Sequence, residues 1–259
     1  MAITASFWAR MGVLSAVAAM WGCMGSPDAT DGDETDSAET NGSAIVGGTP
    51  ATGFPEAVLV NMVSNTGQGF ACSGSLIAPQ VVLTAGHCVN GMKSWTVTLP
   101  FAGKQTASST SGKVFDYKVD SENVDPTKHD LGLVFLPKAL SLTTFPTLAS
   151  APVANGTKIV NIGRIDDGVF SNAQLFVSKS LSVSDAKSSG FPFDYIGSEI
   201  IQSGDSGGPD VVAGTHKIVS VNSGAGGNTE VLARVDLVKN FITTEVAAHG
   251  GFKNGGGFK

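Results

Sequence analysis

The sequence predicts an all-β protein that ends in one α-helix. Three observations lead there. Apolar stretches of strand length recur along the chain at intervals set by turn residues. Glycine is abundant at 33 residues, which suits tight turns between short strands. Helical periodicity is convincing in a single stretch, near the C-terminus.

The strands can be taken in order. "EAVLVNMV" (56–63) is an apolar run, "NTGQG" (65–69) reads as a turn, and "FACSGSLI" (70–77) resumes an extended segment. "QVVLTA", "SWTVTL", "LGLVFL", "TKIVNIG", "AQLFVSKSLSV" and "HKIVSVNS" follow as further short strands. Such spacing suits barrels or sandwiches rather than alternating strand–helix units. The helix is expected over 236–249. Asp236 stands at the cap position, Leu237, Val238, Phe241, Ile242 and Val246 share one face, and Gly250 is a stop. Beyond it, "GGFKNGGGFK" (250–259) repeats GGFK at low complexity and reads as a flexible tail.

Upstream of the β pattern the composition changes twice. Residues 1–22 read as an export signal, with Arg10 ahead of the apolar stretch from Met11 to Trp21, about half the length a membrane-spanning helix needs. Residues 23–44 are acidic and read as a disordered propeptide or tether, having too little apolar surface to offset the entropy of ordering. The whole chain holds 22 acids and 16 bases, but residues 1–44 carry six of those acids and one base. The body is therefore nearly neutral, with no basic stripe, and a nucleic-acid partner is not expected. Cys23 follows the small Gly22 and resembles the lipid-acceptor cysteine of a bacterial lipoprotein signal, although Met20 and Trp21 depart from the usual pattern. Contact with a membrane is expected only if Cys23 is lipidated; the alternative is a secreted, extracellular product.

The chemistry is carried by "TAGHC" (84–88), "HDLGLVFL" (129–136) and "GDSGGP" (204–209). A serine hydroxyl is a weak nucleophile at neutral pH and needs an adjacent base. Imidazole titrates in the right range to take that proton and return it, and a carboxylate can hold the imidazole in the useful tautomer. An isolated His, an Asp before a β-run or a glycine-rich turn is more often structural. His129, His216 and His249 are read in that way. Three such motifs in this order are another matter.

With "IVGG" at 45–48, these motifs make the chain resemble a chymotrypsin-type (trypsin-fold) serine protease over residues 45–249. The resemblance implies two six-stranded antiparallel β-barrels, about 45–150 and 151–235, and a monomer acting on proteins or peptides. It implies a catalytic triad of His87, Asp130 and Ser206, with an oxyanion hole formed by the N–H groups of Gly204 and Ser206. It implies a Cys72–Cys88 disulfide, and a primary pocket with Ile200 at its floor and Ser203, Ser220, Val221, Asn222 and Glu230 around it. Ile200 suggests a neutral or apolar side chain before the scissile bond. Glu230 is read first as an ordinary solvated loop residue; as the alternative, it could recruit a basic side chain. Gln202 stands where the family usually has a cysteine. It also implies a zymogen. An activating protease would cut before Ile45, and the new α-ammonium would pair with Asp205. That bond follows Ala44 rather than Lys or Arg, so a protease of tryptic specificity is not the expected activator. Neither the histidines nor the cysteines show metal-ligand spacing, and no metal or cofactor is expected. Two rivals remain: an inactive binding protein on the same fold, and an α/β-hydrolase, which needs the chain order Ser, Asp, His.

Overall fold

A computed structural model describes residues 48–118 and 124–259. The export signal 1–22, the acidic segment 23–44, Cys23 and Ile45 lie outside the described residues.

The chain forms two β units and one helix. The first unit is a curled antiparallel sheet of seven strands, in which Ala57–Ser64 lies between Gly69–Ala78 and Met92–Leu99. The second contains a closed ring of six strands. Thr157–Gly163 pairs with Leu181–Asp185, and the ring continues through Asp194–Ser198, Thr229–Arg234, Lys217–Gly226 and Pro209–Val212, which returns to Thr157–Gly163. The expected architecture of two antiparallel barrels therefore appears as one closed barrel beside one curled sheet. Among the described residues no helix is long and apolar enough to cross a membrane.

Alternation explains why the strands of the first unit read as unbroken apolar runs. Val58, Val60 and Met62 pack inside that unit with Leu76, Val82 and Val134. Their neighbours Ala57 and Leu59 face the other way, joining Leu83, Leu133, Ile162 and Val221 in a core shared by both units. A strand buried on both faces has no polar face to show. The shared core fixes how the two halves meet, and the motifs that carry His87, Asp130 and Ser206 lie along that seam.

The helix begins later than the sequence suggests. A 3-10 turn spans Asp236–Val238 and the α-helix Lys239–Ala248. Asp236 does not cap it, because its carboxylate takes two hydrogen bonds from Arg234, at 3.1 and 2.9 Å. Val238, Ile242 and Val246 are the buried face, and Gly250 ends the helix with φ +93°.

Residues 250–259, expected as a flexible tail, lie docked on the fold. Gly257–Phe258 adds a short parallel strand beside Thr147–Leu148. Phe258 meets Phe252 edge-on, and Gly256 lies against Phe145 so closely that a side chain there would collide. Composition alone reads such a repeat as unstructured, but its two phenylalanines supply the apolar contacts that hold it.

Candidate active site

His87 and Asp130 are brought together by strand pairing. Val81–Thr84 pairs with Gly132–Phe135, with Thr84 opposite Gly132. The residues just past one strand and just before the other therefore become neighbours. His87 sits in the 3-10 turn Gly86–Cys88, and Asp130 is 1% exposed. Asp130 Oδ1 accepts the backbone N–H of His87 at 2.8 Å, and Oδ2 is 2.7 Å from His87 Nδ1. Ser223 Oγ donates to the same Oδ2 at 2.7 Å. Three polar groups converging on one buried carboxylate fix the orientation of the imidazole ring it faces.

Gly86 is required by this packing. A Cβ at that position would lie 2.8 Å from Tyr117 Cβ and 3.0 Å from Asp130 Oδ1. Tyr117 is itself buried, and its phenol is pushed above the ordinary range by burial and then by the charge of Asp130. The turn is braced from behind by the Cys72–Cys88 disulfide and by Trp95, whose Nε1 donates to Cys88 O at 3.0 Å. Cys72, His87 and Cys88 also form a group of close metal-ligand types, but both sulfurs are committed to the bridge.

Ser206 lies in a loop pinned from both units. Its carbonyl accepts from Ser73 N at 2.8 Å, and Ser73 Oγ donates to Gly204 O at 3.0 Å. From the other side Asn222 O accepts Gly207 N, and Asn222 Nδ2 donates to Asp205 O. The N–H groups of Asp205, Gly207 and Gly208 all bond to backbone carbonyls within this frame. Gly204 and Gly207 have φ of +110° and +76°, the region where a side chain is strained. A Cβ at Gly207 would also strike Thr84, and one at Gly208 would strike Ile162 O. The motif "GDSGGP" is thus required sterically at its glycines.

Asp205 is fully buried. Its Oδ1 accepts Ile165 N and its Oδ2 accepts Gln202 N, each at 2.9 Å. Burial nevertheless pushes the carboxyl up to about 7, against the pull of those N–H groups and of Arg164. Arg164 gave no sign of itself in the sequence. It is wholly buried, donates to Asn61 Oδ1 at 2.9 Å and to Cys72 O, and stacks its guanidinium 5.1 Å from the Phe170 ring. Its side-chain stem and Phe170 both line Gly204. Phe170 belongs to a small hairpin, Ile165–Asp166 with Val169–Phe170, whose exposed tip flanks the nucleophile loop.

The expected pocket residues divide. Ile200 is half-buried, and its N–H donates to Glu230 Oε2 at 3.2 Å. Glu230 is not the solvated loop residue its sequence context suggests: it lies in the strand Thr229–Arg234, is wholly buried, and is pushed up to about 8 by burial. Ser203 is exposed beside the loop. Ser220, Val221 and Asn222 are all interior, Val221 in the shared core and Asn222 bonded to Ile162 O and Asp205 O. Ser223, beyond them, is the residue that reaches the triad carboxylate. An irregularity in pairing between Asn222 and Gly224 displaces the strand there, and no sequence motif announces it.

A chain with this pair of β units, and with His, Asp and Ser motifs meeting at their seam, has the architecture of a serine protease. It belongs to the trypsin family: the family model described as Trypsin matches residues 45–242. It is 30% identical over 211 residues to a chymotrypsin of Phaedon cochleariae, covering 71% of this chain and 75% of that one. A human chymotrypsin-like elastase family member 3B is 31% identical over 90 residues, covering 32% of this chain and 33% of that one. Among solved structures, a collagenase described as HL collagenase superposes with a TM-score of 0.65 at 19% identity, covering 77% of this chain and 96% of the other. Human heparin binding protein gives 0.62 at 24% identity, over 80% and 99% of the two chains. These structural likenesses establish the fold.

Proposed function

We propose that this chain is an exported serine endopeptidase, made as a zymogen. The observation that carries the reading is the Asp130 carboxylate, which accepts Ser223 Oγ and holds both the backbone and the Nδ1 of His87. With Nδ1 so engaged, Nε2 is the nitrogen left to take the proton of Ser206 Oγ as that oxygen attacks a peptide carbonyl. The N–H groups of Gly204 and Ser206 stabilise the oxyanion. The imidazolium then protonates the departing amine, leaving an acyl-enzyme, and water activated by His87 releases the acid.

Activation is the second part of the proposal. Cleavage before Ile45 frees an α-ammonium that pairs with Asp205. Two observations support it: the family match begins at residue 45, and Asp205 is a fully buried carboxyl that burial pushes up to about 7. A cation beside it would favour the charged form. If Cys23 is lipidated, the same cut releases the protease from the membrane. Substrates are proteins or peptides, and the preference before the scissile bond turns on Ile200 and Glu230.

One experiment tests the core of this reading. The processed protein is labelled with an organophosphonate fluoride probe, and the N-terminus of the labelled species is sequenced. The expected result is one adduct on Ser206 in a chain that begins at Ile45. Ser206→Ala should take up no probe and lose at least about 10⁴-fold in peptidase activity. Retained activity in that variant, or a processed protein that never labels, defeats the reading in favour of a binding module.

A further inference from the structure

The closed barrel holds a set of oxygen atoms that the peptidase reading leaves without a role. Asn161 lies directly opposite Asp210 in one strand pair, and Asp210 lies directly opposite Ser220 in the next. Side chains of directly opposed residues project from the same face of a sheet. These three polar groups therefore stand in a row across three adjacent strands, and all are fully buried. Asn161 Oδ1, both carboxylate oxygens of Asp210 and Ser220 Oγ have no hydrogen-bond partner among the described residues. Ser220 faces Asp210 and favours its charged form, yet the two do not reach hydrogen-bond geometry. Asn161 cannot turn its amide to help. Its Nδ2 is committed to Asn222 Oδ1 at 3.0 Å and to Glu230 Oε1 at 3.1 Å, which leaves Oδ1 aimed away from both.

The charge balance is as lopsided as the hydrogen bonding. Burial pushes the Asp210 carboxyl well above the usual range, and its charged neighbour Glu230 raises it further. Among the described residues, the leading influences on these two acids are burial, other acids and neutral hydrogen bonds, not a lysine or arginine. Arg234, opposite Ser220 on the next strand, directs its guanidinium to Asp185 and Asp236. Two acids without a base are costly in a protein interior, where buried charges are paired or bind metal ions.

We propose that Asn161 Oδ1, the Asp210 carboxylate and Ser220 Oγ form an internal site for a hard divalent cation of the calcium type, with Glu230 completing the charge. All the donors are oxygen, the set such an ion prefers, and two carboxylates match its charge. The ion would also act on the nucleophile loop at one remove. Asn161 holds Asn222, and Asn222 Nδ2 holds the carbonyl of Asp205 at 3.1 Å.

The test uses the full chain carrying Ser206→Ala, so its outcome does not depend on whether the protein is a peptidase. Protein stripped with a chelator is dialysed into calcium, magnesium or sodium, and both bound metal and melting temperature are measured. Calcium should bind at one ion per chain and raise the melting temperature by roughly 5 °C or more at saturation. Asp210→Asn should abolish both effects. Ser220→Ala should weaken both, which keeps the test decisive if the first variant fails to fold. Exchanging the half-buried Asp125, which lies outside the barrel and whose carboxylate bonds to Thr127 within its own turn, for Asn should change neither. Absence of bound metal, or equal binding by Asp210→Asn, overturns the proposal. So does an Asp210-dependent shift produced by benzamidine and by no metal, since the acids would then serve a substrate's basic group.

Discussion

The interior of the curled sheet and the interior of the closed barrel are built from different materials. Inside the first, Val58, Val60, Leu76, Val82, Trp95, Val97 and Leu99 surround a disulfide, and the cluster is apolar but for the Trp95 indole N–H, which bonds to Cys88 O. Inside the second, Asn161, Asp210, Ser220, Asn222 and Glu230 are buried among aliphatic side chains. The proposed catalytic parts are shared between the two. His87 and Asp130 come from the cross-linked half, where Asp130 and Glu56 are buried acids too, and Ser206 comes from the half with the larger set of buried polar groups. The lesson is that the His87 turn is braced by a disulfide and hydrocarbon packing as well as by Asp130. The Ser206 loop is pinned by neutral hydrogen bonds from both halves, but has at its back buried acids, Asp205 and Glu230, whose charge depends on pH and on what is bound.

The largest expected effect falls on the apolar half. Replacing Cys72 and Cys88 together by serine removes the bridge, which on the loop-entropy model costs about 3 kcal/mol of stability. Urea unfolding of the double variant should show a lower midpoint, with activity recovered in cold, dilute buffer. An unchanged midpoint would mean that hydrocarbon packing alone holds the His87 turn.

Next in size is Ser223→Ala, which removes the hydroxyl that the second half sends to the triad carboxylate. A hydrogen bond to a charged group is worth about 1.5–3 kcal/mol, so kcat should fall roughly 10- to 100-fold with KM little changed. Parallel kinetics on Ser220→Ala, with chelator present in both assays so that the proposed cation site plays no part, provide the control, since Ser220 Oγ makes no hydrogen bond among the described residues. Equal losses in the two variants would show that the strand, rather than this hydroxyl, matters.

The smallest effect separates the halves by pH. Glu230 is pushed up from 4.5 to about 8 and Asp205 from 3.8 to about 7. A raised carboxyl keeps its proton in the folded state after the unfolded chain has lost it. Its contribution is therefore full below about 4 and declines as pH rises through the folded value. In uncut Ser206→Ala protein, with chelator present, wild-type Glu230 should lose stability relative to Glu230→Gln between pH 5 and pH 9. The expected difference is on the order of 2 kcal/mol. A stability difference that stays flat across that range would show that the barrel acids are already neutralised by another route.

What the sequence made legible divides along similar lines. His87, Asp130 and Ser206 stand out in the sequence as candidates because the proposed chemistry demands particular residue types, and short motifs in a fixed order carry them; the pairing of His87 with Asp130 is the part the fold displays. The glycines of 204, 207 and 208 were readable as a motif, though the collisions that require them at 207 and 208, with Thr84 and Ile162, come from distant strands. Ser223 was hidden because it depends on an irregular strand pairing that displaces the chain after Asn222. Arg164 was hidden because nothing in "NIGRIDD" distinguishes a buried arginine from a surface one. The docked tail was misread because glycine content outweighed two phenylalanines whose partners lie far back in the chain. Local chemistry shows in a sequence; long-range packing of single residues does not.

One contact has an evolutionary side. Tyr117 fills the space that a methyl group on residue 86 would need, hard against the triad carboxylate. The atom in the way is the Cβ of Tyr117, which every residue but glycine carries, so a smaller side chain at 117 does not make room. A lineage that carries alanine at 86 has to shift the main chain around 117 away from the turn that holds His87. The constraint falls on the course of that segment and not on which side chain stands in it.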